Sequence, residues 1–342
     1  MSERLTNILG YLTLFAILGA IWVMFGEDPT KEQGGRGERT FAGLEERINE
    51  VAVVEIKQSG HRATLVKDGS VWRMNERGGY LVNPEKVRTM LRGIALSERR
   101  EPKTSNKARY NRLGLGDEGL KVELRDDTDG VILNFDMGTR KGIAGGRSLT
   151  YVAQSRDTRS WLVTALAETT AEAGWWLNRP VLSIDARRFS DVIIGGAWLT
   201  RKLGDDDFQL QGKRVHEEAS PNWKLGEPAR VLSSFDFEDV RLLSNPLVEA
   251  LSVVEYSTYD GLVLKVSLYN FDDGMWAQIN AAFDATLQNE GKGGTLPAAP
   301  ADGGAEAQEI MGAVRGWIFK LSDADAATLQ YKRADFLNAT GQ

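Results

Sequence analysis

Cysteine is absent from this chain of 342 residues, and histidine occurs only twice, as His61 and His216. Without cysteine there is no disulfide framework, no thiolate metal site and no catalytic thiol. A Ser-His-Asp triad or a histidine metal site would have to use one of the two histidines. One follows Gly60 and the other precedes Glu217-Glu218, so we interpret both as solvated turn or loop residues. The sequence therefore predicts no catalytic residue, no cofactor and no metal.

An excess of positive charge is also missing, because the formal net charge is -6. Proteins that bind nucleic acid carry a basic surface that meets the phosphates. We therefore expect no nucleic-acid partner. The hydrophobic content of 42% and the charged content of 26% are ordinary for folded protein. Together with the length, they indicate about two domains with buried cores.

Long apolar runs are scarce, and the one that occurs is LTNILGYLTLFAILGAIWVMF, Leu5 to Phe25, which carries no charge. A run of about 20 apolar residues spans a bilayer core of about 30 Å. A signal peptide is disfavoured, because the run is long and no small-x-small cleavage site follows. The sequence predicts a short tail at 1–4, a transmembrane helix at 5–25 and a flexible linker at 26–40. Basic residues flank both ends, so charge leaves the membrane side open.

Turn and helix signals organise the next part of the chain. Asp68-Gly69 between two alternating runs predicts a hairpin. Asn83-Pro84 predicts a helix start, and apolar residues follow it at helical spacing. Three strands around Asp129-Gly130 predict a meander, and we predict a helical run from about Ser160 to Trp176.

The same order of signals returns later in the chain. Phe208 stands where the first copy has Trp72, Pro228 repeats Pro84, and Asp260-Gly261 repeats the earlier Asp-Gly turn. These matches predict an internal duplication, although any two α+β domains share hairpins and helices. The predicted fold class is α+β, with an N-terminal transmembrane helix followed by two related β-rich hairpin-helix-meander units. We place these units at 41–178 and 179–342, with a flexible Gly/Ala/Pro-rich insertion at about 288–309.

A family resemblance rests on Trp72 before the Pro-led helix and on RYNRLGLGDEGLKVEL, Arg109 to Leu124. With its Tyr110 and the following Gly-Leu turn, this pattern resembles the family called domain of unknown function 4340. The resemblance covers mainly residues 49–170 and, more weakly, the second unit. The chain departs from the family at Gly116-Asp117-Glu118-Gly119, where an Asp and a Pro often occur. These motifs are structural and identify no catalytic residue.

The resemblance implies a membrane-anchored protein that works with ABC-type export or gliding-type systems. It implies a bacterial inner-membrane, single-pass protein whose soluble domain is periplasmic. The implied partners are the inner-membrane lipid bilayer and ABC-type membrane and ATPase subunits.

Two groups of side chains are candidates for function. Trp161, Trp175 and Trp176 form a predicted aromatic patch, which suits core packing or a protein interface. Glu123 and Asp136 lie on the predicted meander strands, and no pattern favours them over other carboxylates.

Three functions stay open. The first is a non-enzymatic, membrane-anchored accessory subunit of an ABC-type envelope transport or gliding-type complex. The second is an anchored periplasmic binding protein for a lipid or cell-wall ligand. The third is an anchored hydrolase, which needs two facing carboxylates in one cleft and a perturbed pKa.

Overall fold

The structure is a computed structural model that describes residues 35–142, 148–154, 157, 159–164, 166–243, 249–288 and 302–338. The predicted transmembrane helix at 5–25 lies outside these residues. Within them, the strands are β1 (Val53–Gln58), β2 (His61–Asp68), β3 (Val71–Met74), β4 (Tyr80–Leu81), β5 (Arg99–Pro102), β6 (Leu120–Arg125), β7 (Val131–Gly142), β8 (Ser148–Gln154), β9 (Trp161–Val163), β10 (Phe189–Ile194), β11 (Ala197–Thr200), β12 (Gln209–Leu210), β13 (Asp239–Leu242), β14 (Ser252–Thr258), β15 (Leu262–Phe271), β16 (Gly274–Phe283) and β17 (Trp317–Lys320).

The α-helices are fewer than the strands in the same residues. The α-helices are α1 (Leu44–Arg47), α2 (Pro84–Leu96), α3 (Ala173–Trp176), α4 (Asn222–Leu225), α5 (Glu227–Val231), α6 (Gly303–Val314) and α7 (Asp323–Leu329). The 3-10 helices are Ile48–Glu50, Asn75–Arg77, Lys107–Leu113, Gly116–Glu118, Ala186–Arg188, Leu232–Ser234, Ala285–Leu287 and Arg333–Phe336.

The predicted fold class needs correction. Two large antiparallel sheets dominate the fold, and the helices are minor elements beside them. Of the helices that the structure describes, none has the length and apolar character needed to cross a bilayer. The class is therefore a β-rich, two-sheet fold, and no helix among the described residues supports the predicted N-terminal transmembrane helix.

The chain divides into two compact units, one of residues 1–62 and 85–171 and one of residues 63–84 and 172–342. The domain boundaries predicted at 41–178 and 179–342 stay a prediction. In the first unit the strands follow the order β1-β6-β7-β8-β9-β5. Apolar and charged residues alternate along β6, so that Leu120, Val122 and Leu124 are buried on one face. The other face of this strand is charged, and it carries the site described below.

In the second unit the sheet order is β12-β11-β10-β14-β15-β16-β17-β13. The order β10-β14-β15-β16-β17-β13 has the same connectivity as β1-β6-β7-β8-β9-β5. In both cases the edge strand precedes the meander in sequence and pairs antiparallel with its last strand. A gene duplication would produce this repeat, and duplication stays a prediction.

The segment 63–84 contributes an aromatic and an ionic contact to the second unit. The ring of Tyr80 meets Trp317 edge to face at 5.0 Å between centroids and Phe237 at 5.7 Å. Arg77 binds both carboxylate oxygens of Asp239, with Nη2 at 2.8 Å from Oδ2. These contacts hold the turn between β3 and β4 against strand β13 and its neighbours.

The predicted helical run from about Ser160 to Trp176 is wrong. Trp161–Val163 is strand β9, and a four-residue helix forms only at Ala173–Trp176. All three residues of β9 are buried, and the strand lies between β8 and β5 in the sheet. A short run that is apolar on both faces gives the same pattern in a strand and in a buried helix.

The predicted insertion at about 288–309 falls outside the described residues from 289 to 301. Its last part belongs to helix α6, which begins at Gly303. The side chain of Asp302 accepts hydrogen bonds from the Gly304 and Ala305 amides at 2.9 and 3.0 Å. This N-cap satisfies two donors of the first turn, so the helix starts inside the low-complexity stretch.

Candidate ligand-binding cavity

The candidate site lies on the charged face of strands β6 and β7. Their antiparallel register places Lys121 opposite Asp136 and Glu123 opposite Asn134. Glu123 is satisfied there, because it accepts a hydrogen bond from Arg125 at 2.6 Å and from Asn134 at 2.9 Å. Lys121 and Asp136 are less tightly joined, with 4.0 Å between the ammonium nitrogen and a carboxylate oxygen. Lys121 and Asp136 are therefore the pair that can still form hydrogen bonds with a ligand.

Residues 106–119 cover this part of the face. Asn106 begins the segment, and its side chain accepts a hydrogen bond from the Ala108 amide at 3.0 Å. Further along, Thr139 of β7 donates a hydrogen bond to the Leu113 carbonyl at 3.1 Å. The ladder between β7 and β8 shifts register between Met137 and Arg140, and this irregularity receives the segment.

Glycine is required where the segment meets β7. Gly114 has a φ of 67°, and a Cβ at this position would lie 2.7 Å from the Thr139 methyl carbon. A Cβ on Gly138 would collide with the Leu113 carbonyl oxygen. The two glycines allow the backbones to approach closely, and this approach holds in place a segment whose other residues line a cavity.

The cavity has a volume of about 610 Å³, which is within the range of small-molecule sites. Seven of its ten lining residues carry a polar side chain, and the other three are Ala or Gly. The lining consists of Lys107, Ala108, Tyr110, Asn111, Gly116, Asp117, Lys121, Asp136, Ala153 and Gln154. We call this site the Tyr110 cavity.

Tyr110 is the most buried polar side chain of the lining, with 8% of its surface exposed. Its ring packs with Leu115 and Ala153 in a small apolar cluster. Its hydroxyl forms no hydrogen bond with any described residue. Burial raises the pKa of the Tyr110 phenol, and the carboxylates of Asp157 and Asp136 add to the effect. The hydroxyl is thus a neutral group that lines the cavity and can both donate and accept.

Asp136 is half-buried in the same wall. Burial raises the pKa of its carboxyl above the ordinary value, and the negative charge of Asp117 acts in the same direction. Lys121 and the Gly116 amide oppose this shift without cancelling it. The cavity therefore combines a carboxyl with a raised pKa and a tyrosine hydroxyl that has no hydrogen-bond partner among the described residues. Such a combination is typical of functional sites.

A smaller cavity of about 300 Å³ occurs elsewhere in the first unit. Its walls include Phe41, Leu44, Val131 and Leu133. The rings of Phe41 and Phe135 lie 4.7 Å apart beside it. It presents fewer polar groups than the Tyr110 cavity, and it has less capacity to orient a polar ligand.

The predicted tryptophan patch is divided between two elements. Trp161 lies in β9, where the Arg99 guanidinium stacks 4.8 Å from the ring centroid. Trp175 and Trp176 lie in α3, and their rings meet edge to face at 4.7 Å. Trp161 and Trp176 are buried, and Trp175 is half-buried. A role for these residues at an interface stays a prediction.

The remaining candidates do not come together in a site. His61 opens β2 and His216 lies in an exposed loop. Within the described ranges, no group of three or more His, Asp or Glu residues is placed to hold a metal ion. Of the two meander carboxylates, only Asp136 lines the cavity.

Sequence reasoning did not assign Asp117 and Lys121 to a site. A usable signal existed for Lys121, because pairing β6 with β7 across the 126–130 turn places it opposite Asp136. No comparable signal identifies Tyr110 as a cavity residue, since its position depends on how the segment packs.

The model of the family described as Domain of unknown function (DUF4340) matches residues 72–259, more than half of the chain. No curated protein matches the chain, and no solved structure matches it. The matched range contains the whole lining of the Tyr110 cavity.

Proposed function

Because the chain belongs to the DUF4340 family, we propose that it is a non-enzymatic accessory subunit of an ABC-type envelope transport or gliding-type complex. In this proposal it works on the periplasmic side of the bacterial inner membrane, in contact with ABC-type membrane and ATPase subunits. Its task there is recognition, and the Tyr110 cavity is the recognition site. The proposal concerns the folded units and requires no particular mode of attachment to the membrane.

The observation that carries the proposal is where the cavity lies. Its walls come largely from residues 107–121, the stretch that bears the family resemblance. The segment is held against β7 by Gly114 and Gly138 and by the bond from Thr139 to Leu113. A fold that constrains its backbone in this way around a polar cavity supports a preorganised binding site. Binding a ligand without changing it chemically is a role that such a site can fill.

Co-purification tests the accessory role. The full chain is tagged at its C-terminus in its native host, the membranes are solubilised gently, and the captured proteins are identified. We expect an ABC-type ATPase and its membrane subunits in constant ratio to the tagged chain. A chain that is recovered alone, at several detergent and salt conditions, would sink the accessory role.

The polar cavity also favours a second candidate, a periplasmic binding protein for a cell-wall ligand that works without a transporter. Seven polar lining residues suit a hydrogen-bonding ligand better than a lipid chain, which needs apolar walls. The same capture experiment separates the two candidates, because this one predicts ligand binding without ABC-type subunits.

A carboxylate hydrolase remains the third candidate, since Asp117 and Asp136 line one cavity. It alone predicts turnover of the ligand.

A further inference from the structure

We propose that the Tyr110 cavity binds a neutral carbohydrate, of the size of a disaccharide or the end of a glycan chain. This inference deepens the proposed recognition role and rests on it. It follows from three properties of the lining, which are its balance of charge, its mixture of donors and acceptors, and its size.

The charges of the lining cancel. Lys107 and Lys121 bring two positive charges, and Asp117 and Asp136 bring two negative charges. An anionic ligand such as a phosphate would meet two carboxylates, and a cationic ligand would meet two ammonium groups. Three of these four side chains are exposed, so solvent screens the charges, but each arrangement still opposes one pair of like charges. A ligand without net charge avoids this repulsion.

The hydrogen-bonding groups require a ligand that donates and accepts at closely spaced positions. The Tyr110 hydroxyl has no partner among the described residues and lines the cavity. Asp136 offers acceptor oxygens, Lys121 offers donors, and the amides of Asn111 and Gln154 offer both. A sugar carries a hydroxyl on nearly every ring carbon, and each hydroxyl is a donor and an acceptor. A carbohydrate can therefore pair with both the donors and the acceptors of this set.

The 4.0 Å gap between Lys121 and Asp136 supports the same ligand. The two groups are too far apart for a direct hydrogen bond. A ligand hydroxyl beside the pair would accept from the ammonium group and donate to the carboxylate, because two hydrogen bonds of about 2.8 Å that meet at roughly a right angle span this distance. One accepted and one donated bond would fix the orientation of the hydroxyl.

The walls limit how the sugar lies. Ala108 and Ala153 are small, and Gly116, with a φ of 82°, has no side chain. These residues leave space and apolar surface for the carbon skeleton of a ring. The volume of about 610 Å³ accommodates a ligand of drug size, as a disaccharide is.

The test uses the purified full-length chain and defined probes. N,N′-diacetylchitobiose and cellobiose are the neutral sugars, inorganic phosphate is the anionic probe, and dodecanoate is the lipid-like probe. Binding is followed by calorimetry and by saturation-transfer NMR. The sugars are recovered afterwards and analysed by chromatography. We expect saturable binding of at least one disaccharide, weaker or no binding of phosphate and dodecanoate, and no cleavage of the sugar.

Three variants locate the binding site. Tyr110→Phe removes one neutral hydrogen-bonding group and should weaken sugar binding about 3- to 10-fold. Asp136→Asn removes a charged acceptor and should weaken it about 10-fold. Asn111→Ala changes an exposed residue of the cavity rim, so it reports on binding even if a buried substitution impairs folding.

Two matched controls lie in the same unit and outside the cavity. Tyr151→Phe removes a hydroxyl from a half-buried tyrosine that packs against the Tyr110 cluster. Glu123→Gln neutralises a carboxylate two residues from Lys121 on β6. Both should bind the disaccharide within twofold of the natural chain.

The outcomes separate this inference from the proposed function. If neither disaccharide binds, or if phosphate or dodecanoate binds better, the carbohydrate assignment is overturned, and capture of ABC-type subunits still decides the accessory role. If the controls weaken binding as much as the three cavity variants, the assignment to this cavity is also overturned. If a disaccharide binds at the cavity and no ABC-type subunit is captured, the accessory role fails and the free-standing binding protein remains.

Discussion

At the scale of single residues, charged side chains in the interior are satisfied to different degrees. Arg188 is almost completely buried in the second unit. Its guanidinium binds both oxygens of Glu306 at 2.7 Å and one oxygen of Asp260 at 2.5 Å. The carboxylates are themselves only 13% and 14% exposed at the side chain. Asp136, in contrast, lies 4.0 Å from the ammonium nitrogen of Lys121, and burial raises its pKa.

Loss of the Arg188 cation should destabilise the second unit strongly. Arg188→Met leaves Asp260 and Glu306 buried without a counter-charge, and we expect a loss of about 3–5 kcal/mol in the free energy of unfolding. Urea denaturation followed by tryptophan fluorescence measures it. The neighbouring Arg187, paired with Asp185 on the exposed surface, provides the control, and Arg187→Met should leave the transition nearly unchanged. Equal effects in both variants would contradict the importance of burial.

Asp136 should make stability depend on pH in a defined direction. Burial raises its pKa in the folded chain, so the native state holds this proton more tightly than the unfolded state. The carboxyl therefore contributes stability below its unfolded pKa of about 3.9, and this contribution is lost as the pH rises through the folded pKa. Asp136→Asn should consequently be more stable than the natural chain at pH 7, and the difference should shrink towards pH 4.

Thermal unfolding of both chains at pH 7 and pH 4 measures this effect. If the Tm of both chains changed equally between pH 7 and pH 4, Asp136 would have the same pKa in the folded and unfolded states, which would contradict the prediction. Glu123→Gln is the comparison, because it removes an ion pair with Arg125 and should lower stability by about 0.2–1 kcal/mol. A variant at Asp136 that is more stable yet binds its ligand less well would identify the residue as one retained for function.

At the scale of elements, the 106–119 segment depends on close contact with strand β7. The register shift between Met137 and Arg140 leaves Gly138 and Thr139 free of the β8 ladder. Thr139 instead bonds the Leu113 carbonyl. The shape of the cavity is therefore coupled to an irregularity in the sheet.

Gly138→Ala should loosen the segment, because the new methyl group collides with the Leu113 carbonyl oxygen and crowds Leu115. We expect a cost of about 1–3 kcal/mol, as for other overpacked sites. Hydrogen exchange at the Leu115 amide, which bonds the Tyr110 carbonyl at 3.1 Å, should accelerate. Gly142→Ala on the same strand is the control, since a Cβ there meets no atom within 4 Å. If both variants behave alike, close contact is not what constrains the segment.

At the scale of the whole molecule, the compact units do not correspond to continuous stretches of the sequence. The second unit consists of residues 63–84 and 172–342, so its parts are separated along the chain. Arg77 and Asp239, which are 162 positions apart, are each 28% exposed at the side chain and form a two-point ion pair. Long-range contacts of this kind join residues 63–84 to the rest of the second unit.

A double-mutant cycle at Arg77 and Asp239 should reveal their coupling. The single changes to Ala and the double change are compared by urea denaturation, and we expect an interaction energy of about 0.5–3 kcal/mol. The control cycle uses Arg73 and Asp68, an exposed local pair at 2.7 Å, where about 0.2–1 kcal/mol is expected. A coupling of zero at the first pair would mean that its geometry adds no stability.

Local signals in the sequence determined the turns and strand faces. The turn from β2 to β3 begins at Asp68-Gly69, Pro84 opens α2, and Asp129-Gly130 lies between β6 and β7, as predicted. These features depend on backbone preferences of a few adjacent residues, so they can be read without a fold. The alternating pattern of β6 likewise indicates its buried and charged faces.

Only the tertiary structure decided the features that depend on distant neighbours. Trp161–Val163 became a strand because β8 and β5 flank it, and the residues alone do not specify that environment. Tyr110 became a cavity residue because its segment packs on β7, and Asp136 acquired its raised pKa because it is half-buried in the folded chain. Burial is a property of the assembled chain, and the pKa values and the binding site follow from burial.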